Sequence, residues 1–217
     1  MIKAIFFDLD GTLTNTLYCL QYVINTILTH QNKDGITIDQ VKKVVGDGAK
    51  NACIRSLKIK GIDASDDLVN ECLKEYKKLF SEYYLYKVVA YDGIKEVLCE
   101  LKKRNIKIFC ITNKPEVATK KTLDEIFGIN YFEDYACDDG KYELKPCPDA
   151  TIAILKKYNL NNEECLFVGD THTDIETANN AKIKSLGALW GFRDEKELKE
   201  ANATYIIKEP KEILNYI

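Results

Sequence analysis

Two aspartates at the end of a short apolar run limit the folds that are open to this chain. Residues 3–7 are rich in types that favour β-structure, which predicts a buried strand. Asp8 and Asp10 follow it, and residues two apart in an extended chain point to the same side. Paired carboxylates at a buried strand end repel each other and are poorly solvated, so the pattern indicates a compensating divalent cation. One carboxylate of such a pair could then serve as a nucleophile.

The order of the remaining segments predicts an α/β core with a helical insertion. Apolar residues recur at helical spacing from residue 17 to about residue 85, whereas helices and strands alternate after residue 91. Such alternation is typical of a doubly wound, Rossmann-like parallel sheet with helices on both faces. Because a strand precedes the helical segment, that segment interrupts the α/β domain. We predict an α/β catalytic core of residues 1–15 and 87–217, and an all-helical cap domain of residues 16–86.

The composition indicates a globular protein without a nucleic-acid or membrane partner. Of the 217 residues, 46% are apolar and 30% are charged. The net charge is −3, and lysines and glutamates are interspersed, so the basic patch of a nucleic-acid-binding protein is missing. No apolar run approaches the ~20 residues that span a bilayer.

The cysteines and histidines limit the compartment and the kind of metal. With no secretory signal at the N-terminus, the pattern predicts a reducing cytoplasm. Only two histidines are present, so a bound metal would be a hard cation held by oxygen ligands. Several of the cysteines fall at apolar-periodic or strand positions, where cysteine behaves as a small buried hydrophobe, namely Cys53, Cys72, Cys99, Cys110 and Cys165.

Polar side chains also follow two later strands of the predicted sheet. Thr112 and Asn113 follow an apolar run of residues 106–111, and Asp170 follows another of residues 165–168. Because the carboxyl ends of parallel strands meet at one edge, we expect these groups to converge on the aspartate pair. Lys145 lies in the loop after a weaker predicted strand, and Asp174 follows Asp170 at the start of the next predicted helix.

This set of groups suits phosphoryl transfer. A carboxylate that attacks phosphorus must overcome the repulsion of a dianionic substrate. Magnesium on acidic oxygens, a lysine, and hydroxyl or amide donors neutralise that charge. A second carboxyl group can protonate the leaving oxygen and later deprotonate a water molecule. The sequence therefore predicts an enzyme that acts on a small phosphorylated metabolite.

The ordered motifs resemble those of the haloacid dehalogenase superfamily, and the resemblance spans nearly the whole chain. The motifs are Asp8-Leu-Asp10-Gly-Thr, Thr112-Asn113, Lys145-Pro146 and Gly169-Asp170-Thr-His-Thr-Asp174. Residues 45–48 (Val-Gly-Asp-Gly) and 188–192 (Ala-Leu-Trp-Gly-Phe) resemble the phosphoglycolate phosphatase-like branch, which has a helical cap. The resemblance implies a phosphoric monoester hydrolase that uses Mg²⁺.

The resemblance also implies roles for the residues of the first two motifs. Asp8 would be the nucleophile and would form an aspartyl-phosphate. Asp10 would be the general acid and then the general base, and would offer its main-chain carbonyl to Mg²⁺. Thr112 and the backbone of Asn113 would bind the phosphoryl oxygens.

The later motifs would supply a cation and metal ligands. Lys145 would steady both Asp8 and the phosphate, which gives it a catalytic and a phosphate-binding role. Asp170 would bind the metal together with Asp8. Asp174 would support the metal, either directly or through its ligands.

Other functions are open at this point. A sugar-phosphate mutase or an inorganic pyrophosphatase of the same superfamily would use the same motifs. A phosphorylatable signalling module also combines acidic residues, Mg²⁺, Thr and Lys on a parallel sheet, although such modules are shorter and have no inserted cap. The sequence also leaves open the substrate and the choice between a monomer and a homodimer.

Overall fold

The chain divides into two units, each of which buries apolar side chains of its own. The computed structural model describes residues 1–46 and 48–217, so Asp47 of the Val-Gly-Asp-Gly segment lies outside the described residues. One unit, called here the α/β unit, comprises Met1–Asn15 and Val89–Ile217. The other, the helical unit, comprises Thr16–Val88.

The strands form one parallel sheet and one short antiparallel pair. Their bounds are β1 (Ala4–Phe7), β2 (Thr14–Asn15), β3 (Val89–Ala90), β4 (Lys107–Pro115), β5 (Asp134–Asp138), β6 (Cys165–Gly169), β7 (Lys184–Ala188) and β8 (Tyr205–Ile207). The sheet has six strands in the order β5-β4-β1-β6-β7-β8, and all neighbours are parallel. The pair is formed by β2 and β3. The predicted parallel α/β fold is confirmed.

The helices separate by unit, since α1 to α4 lie in the helical unit and α5 to α9 in the α/β unit. Their bounds are α1 (Leu17–His30), α2 (Ile38–Val44), α3 (Gly48–Ile59), α4 (Asp66–Tyr83), α5 (Ile94–Lys103), α6 (Glu116–Phe127), α7 (Asp149–Lys157), α8 (His172–Asn180) and α9 (Glu195–Glu200). Short 3₁₀ turns cover Asn162–Glu164 and Pro210–Tyr216. Within the part of the chain that the structure describes, no helix has both the length and the apolar character to cross a membrane.

β1 is a central strand with both faces covered. Ile5 and Phe7 pack into one apolar cluster with residues of α5, whereas Ala4 and Phe6 pack into a second cluster with residues of α7 and α8. A strand buried on both faces reads as a continuous apolar run, as this one does. Because β1 pairs with β4 on one side and β6 on the other, the carboxyl ends of these three strands are neighbours.

The helical unit follows the amphipathic pattern of its sequence. At the start of α2, Thr37 and Gln40 form a capping box, in which each residue's backbone N–H donates to the other's side chain. α4 is the longest helix of this unit. The apolar stripe of α1 is buried and consists of Leu17, Leu20, Val23, Ile24, Ile27 and Leu28.

The end of β4 differs from the sequence prediction. The apolar pattern ends this strand at Ile111, whereas β4 continues to Pro115 and includes Thr112 and Asn113. The pairing of β4 with β5 shifts register between Ile111 and Pro115, so the polar residues lie in an irregular part of the strand. Lys114 therefore lies on β4, two residues beyond Thr112.

Cys99 is exposed, so its prediction as a buried hydrophobe is wrong. It lies on α5, where Val97, Leu98 and Leu101 face the core. Cys99 is two residues from both Val97 and Leu101, so it lies about 200° around the helix from each of them and points away from that face. The other four cysteines predicted as buried are buried.

Candidate active site

The predicted polar residues meet at the carboxyl edge of the parallel sheet. Asp8 directly follows β1, and its backbone N–H donates to the carbonyl oxygen of Val168 on β6 over 2.9 Å. Asp170 directly follows β6, and Thr112 lies near the end of β4. The strand order therefore brings together residues that are more than a hundred positions apart in the chain.

Three buried carboxylates form the centre of the site. Asp8, Asp170 and Asp174 each offer an oxygen, and these oxygens lie within 4.8 Å of one another. Asp174 is held in a capping box at the start of α8, because its Oδ2 accepts hydrogen bonds from the N–H of Thr171 over 3.0 Å and from its hydroxyl over 2.8 Å. The start of a helix thus fixes the third carboxylate.

Lys145 bridges two of these carboxylates. Its Nζ donates to Oδ1 of Asp8 and to Oδ1 of Asp174, each over 2.6 Å, and its side chain is 6% exposed. Burial lowers the pKa of Lys145, but the negative charges of Asp174 and Asp8 outweigh that effect and raise the pKa above its ordinary value. The residue is therefore a permanent cation beside Asp8.

The side chain of Asn113 holds Lys145 in place. Its Oδ1 accepts a hydrogen bond from the backbone N–H of Lys145 over 2.8 Å, and its Nδ2 donates to the carbonyl oxygen of Lys145 over 3.1 Å. The Nδ2 of Asn180 also donates to the carbonyl oxygen of Pro146 over 3.0 Å. The side-chain amide of Asn113 therefore connects β4 to the Lys145 loop, a contact that the sequence analysis missed.

Asp170 is fixed from two sides. Its Oδ1 accepts from the hydroxyl of Thr12 and its Oδ2 from the backbone N–H of Phe192, each over 2.8 Å. Gly11 has a φ of +103°, and a Cβ at Gly11 or at Gly191 would overlap the Asp170 side chain. Glycine is required at both positions because nothing larger leaves room for this carboxylate.

In the buried acidic centre, the carboxylates outnumber the positively charged groups. Burial, with the charge of Asp174, raises the pKa of Asp8 well above its usual range, although Lys145 lowers it. Burial and Asp174 also raise the pKa of Asp170 to about 7, against the hydrogen bonds from Phe192 and Thr12. Carboxylate oxygens are the ligands that hard divalent cations prefer. The residues of this site therefore fit such a cation.

We expect the contribution of Asp170 to the stability of the metal-free protein to fall as the pH rises from about 4 to about 7. The pKa of Asp170 is about 7 in the folded protein and 3.8 as its ordinary value, so the folded state binds this proton more tightly. The stabilisation is complete below the lower value and is lost as the pH passes the upper one, with a size on the order of a few kcal/mol. Urea unfolding in the presence of a chelator measures it, and Asp170→Asn is the control. A pH slope that is the same in Asp170→Asn would contradict this account.

Asp10 has a different hydrogen-bond partner from the three buried carboxylates. Its Oδ1 accepts a hydrogen bond from Nζ of Lys114 over 2.8 Å, and the Lys114 side chain is 1% exposed. The hydroxyl of Thr112 accepts from the backbone N–H of Lys114 over 3.2 Å, which leaves the hydroxyl proton for another acceptor. The sequence analysis missed Lys114. Its two-residue spacing from Thr112, the same spacing that pairs Asp8 with Asp10, could have revealed it.

The chain is similar to known proteins in sequence and in fold. A family model described as "Haloacid dehalogenase-like hydrolase" matches residues 5–188. The phosphoglycolate phosphatase of Pseudomonas savastanoi pv. phaseolicola is 27% identical over 216 residues, which cover 98% of this chain and 78% of that protein. The phosphoglycolate phosphatase of Vibrio parahaemolyticus is 28% identical over 220 residues, which cover 100% of this chain and 96% of that protein. A crystal structure from Lactobacillus delbrueckii subsp. bulgaricus has the same fold, with a TM-score of 0.92 at 24% identity over 99% of this chain and 98% of that one.

Proposed function

The chain belongs to the haloacid dehalogenase-like hydrolases, and we propose that it is a Mg²⁺-dependent phosphatase that hydrolyses a small phosphomonoester through an aspartyl-phosphate. One observation carries the proposal, namely that the buried ammonium of Lys145 bridges Asp8 and Asp174 beside Asp170. This arrangement supplies a carboxylate nucleophile, a cation for the phosphate and acidic metal ligands at one sheet edge.

In the first half of the reaction, a carboxylate oxygen of Asp8 attacks phosphorus. The new bond joins that oxygen to phosphorus while the bond to the leaving oxygen breaks, and Asp10 gives its proton to the leaving oxygen. In the second half, Asp10 takes a proton from a water molecule that attacks the phosphorus of the aspartyl-phosphate. Inorganic phosphate leaves and Asp8 is regenerated.

The remaining residues hold the phosphoryl group and its charge. Lys145 lies beside the attacking carboxylate and neutralises charge that develops on the phosphoryl oxygens. Thr112 has a hydroxyl proton to donate, and the backbone N–H of Asn113 is the second proposed donor to the phosphate. The side chain of Asn113 positions Lys145, as its two hydrogen bonds to the Lys145 backbone indicate.

Asp8 and Asp170, with the main-chain carbonyl of Asp10, are the proposed ligands of Mg²⁺. When bound, the cation would neutralise phosphate charge and orient the phosphoryl group. Asp174 accepts three hydrogen bonds, one from the ammonium of Lys145 and two from Thr171, whereas Asp170 accepts two, so we assign Asp174 to supporting the site through Lys145. Asp170 keeps unused lone pairs on both oxygens, which suits a direct ligand.

We propose the α/β unit as the catalytic core and the helical unit as the cap domain. All the candidate residues lie in the α/β unit, so the helical unit is left to act on substrate choice. The two relatives described above are named phosphoglycolate phosphatases, which makes a small carboxylated phosphomonoester the first substrate to test. The free cysteines suit a reducing cytoplasm, which we propose as the compartment.

We expect phosphate release from p-nitrophenyl phosphate to fall to background when the protein is treated with EDTA, and to return on addition of Mg²⁺. Buried carboxylates without a cation would repel the dianionic substrate. Ca²⁺ is the matched control ion, because it takes more ligands at longer distances than Mg²⁺ and should restore much less activity. Activity that persists in EDTA would contradict the metal requirement.

A substrate panel separates the enzymes that share these motifs. Phosphoglycolate, pyrophosphate, nucleoside monophosphates and sugar phosphates are assayed for free phosphate, and sugar phosphates also for isomers. We expect phosphoglycolate to be hydrolysed best. Turnover of pyrophosphate alone would indicate a pyrophosphatase, and isomerisation without phosphate release a mutase. Labelling of Asp8 by a phosphodonor without turnover would indicate a signalling module.

A further inference from the structure

We propose that Lys114 is a positioning residue for Asp10, and that its buried ammonium holds Oδ1 of the Asp10 carboxyl group, so that a proton carried on Oδ2 can pass to the leaving oxygen. The inference rests on the proposed function, because it assigns a cation to the general acid of that reaction. It concerns a residue of the α/β unit alone.

The geometry fixes Lys114 firmly. The residue lies on β4, its backbone N–H donates to the Thr112 hydroxyl over 3.2 Å, and its carbonyl oxygen accepts from the hydroxyl of Thr119 over 3.0 Å. Its side chain is 1% exposed, and Nζ reaches Oδ1 of Asp10 at 2.8 Å. A lysine held at its backbone and buried along its side chain has little freedom to move, and its ammonium contacts Asp10.

Packing alone does not explain why a lysine is buried at this position. Moving an ammonium group out of water costs several kcal/mol, roughly, and an apolar side chain in its place avoids that cost. Asp10, in contrast, is 23% exposed, so its carboxylate has room to turn toward solvent. The ion pair therefore joins the partly exposed Asp10 carboxyl group to a side chain that is almost fully buried.

Each member of the aspartate pair has a lysine of its own. Lys145 contacts Asp8, and Lys114 contacts Asp10. The Lys114 hydrogen bond uses Oδ1 of Asp10, so the proton for the leaving group is carried on Oδ2. As the bond between phosphorus and the leaving oxygen breaks, that proton moves from Oδ2 to the leaving oxygen. Lys114 itself neither gains nor loses a proton.

The test compares leaving groups in the Lys114→Met variant. An alkoxide leaving group needs the proton of Asp10, whereas a nitrophenolate departs without one. The comparison uses kcat/KM, because kcat also contains the hydrolysis of the aspartyl-phosphate, in which Asp10 is the base for both substrates. We therefore expect kcat/KM for an alkyl phosphate to fall by about 100-fold or more, and kcat/KM for p-nitrophenyl phosphate by about threefold or less. A merely structural role would lower both rates equally, and that result would overturn the inference.

A double-mutant cycle adds a second criterion. If Lys114 acts through Asp10, Lys114→Met should change the alkyl phosphate rate by less than about threefold in a protein that already carries Asp10→Asn. Effects that multiply instead would overturn the inference. Lys157→Met is the matched control, because Lys157 forms a 2.7 Å ion pair with Asp134 at the opposite, amino end of β5. It should alter neither rate.

Two further readouts separate other causes of failure. Urea unfolding reports whether Lys114→Met is folded, and Lys114→Gln, which keeps a neutral donor, replaces it if it is not. The glutamine variant should show the same selective loss at a smaller size, and an equal loss on both substrates would overturn the inference. If the unmodified protein releases no phosphate from any ester, the proposed function fails, independently of Lys114.

Discussion

Asp8→Asn is expected to abolish phosphate release, with kcat lowered by about 10⁴-fold or more, while the protein stays folded. An amide has almost the same shape as a carboxylate but is not a nucleophile of comparable strength, so the aspartyl-phosphate cannot form. Steady-state release of phosphate from p-nitrophenyl phosphate at saturating Mg²⁺ measures the loss. Full activity in this variant would show that the nucleophile lies elsewhere.

The same substitution should not weaken the folded state at neutral pH. Burial raises the pKa of Asp8, so the ionised carboxylate is a destabilising group in the metal-free protein, and an amide removes that charge. Urea unfolding in a chelator is expected to give an equal or higher free energy of unfolding. Asp134→Asn is the matched control, because Asp134 is a carboxylate at the amino end of β5, opposite the sheet edge at which the site lies, and is paired with a lysine. It should keep full activity.

Lys145→Met is expected to damage both activity and stability. The substitution leaves Asp8 and Asp174 buried without their shared cation, and breaking a buried ion pair in this way costs about 3–5 kcal/mol. It also removes a cation that would neutralise the transferred phosphoryl group, so kcat should fall by about 10³-fold or more. Urea unfolding and the phosphate assay measure the two effects.

A combined variant identifies the origin of the stability loss. Asp8→Asn removes one of the two carboxylates that Lys145 serves, so Lys145→Met should cost less stability in that background than alone. Lys157→Met breaks an exposed ion pair and is expected to cost no more than about 1 kcal/mol. A Lys145→Met protein as stable as the unmodified one would contradict the account of charge balance.

The acidic centre could be predicted from the sequence, because the prediction needs only short apolar runs and the order of helices and strands. Apolar runs before Asp8, Thr112 and Asp170 predict strands, and the alternation of helices and strands predicts that the strands are parallel and end at one edge. Parallel strand ends are neighbours whatever lies between them in the chain. That rule is sufficient to bring Asp8 close to Asp170 without any knowledge of side-chain packing.

Contacts that depend on the exact path of the backbone could not be predicted in this way. The apolar pattern ends at Ile111, whereas β4 continues to Pro115, so the pattern gives no reason to place Lys114 on the strand and its contact with Asp10 was not predicted. The clamp of Asn113 on the Lys145 backbone depends on the position of a loop with no periodic pattern. Likewise, the hydrogen bond from Phe192 to Asp170 comes from a main-chain N–H, which every residue except proline carries and no sequence motif marks.

The antiparallel pair of β2 and β3 has a consequence for how such a chain can evolve. Thr14 pairs with Ala90 and Asn15 with Val89, so the points at which the chain leaves and re-enters the α/β unit are adjacent. The two ends of the helical unit therefore lie side by side. A two-residue hairpin turn could also connect β2 directly to β3. The helical unit can therefore be lengthened or replaced without altering any strand of the six-stranded sheet. The candidate active site and the helical unit are therefore free to diverge at different rates.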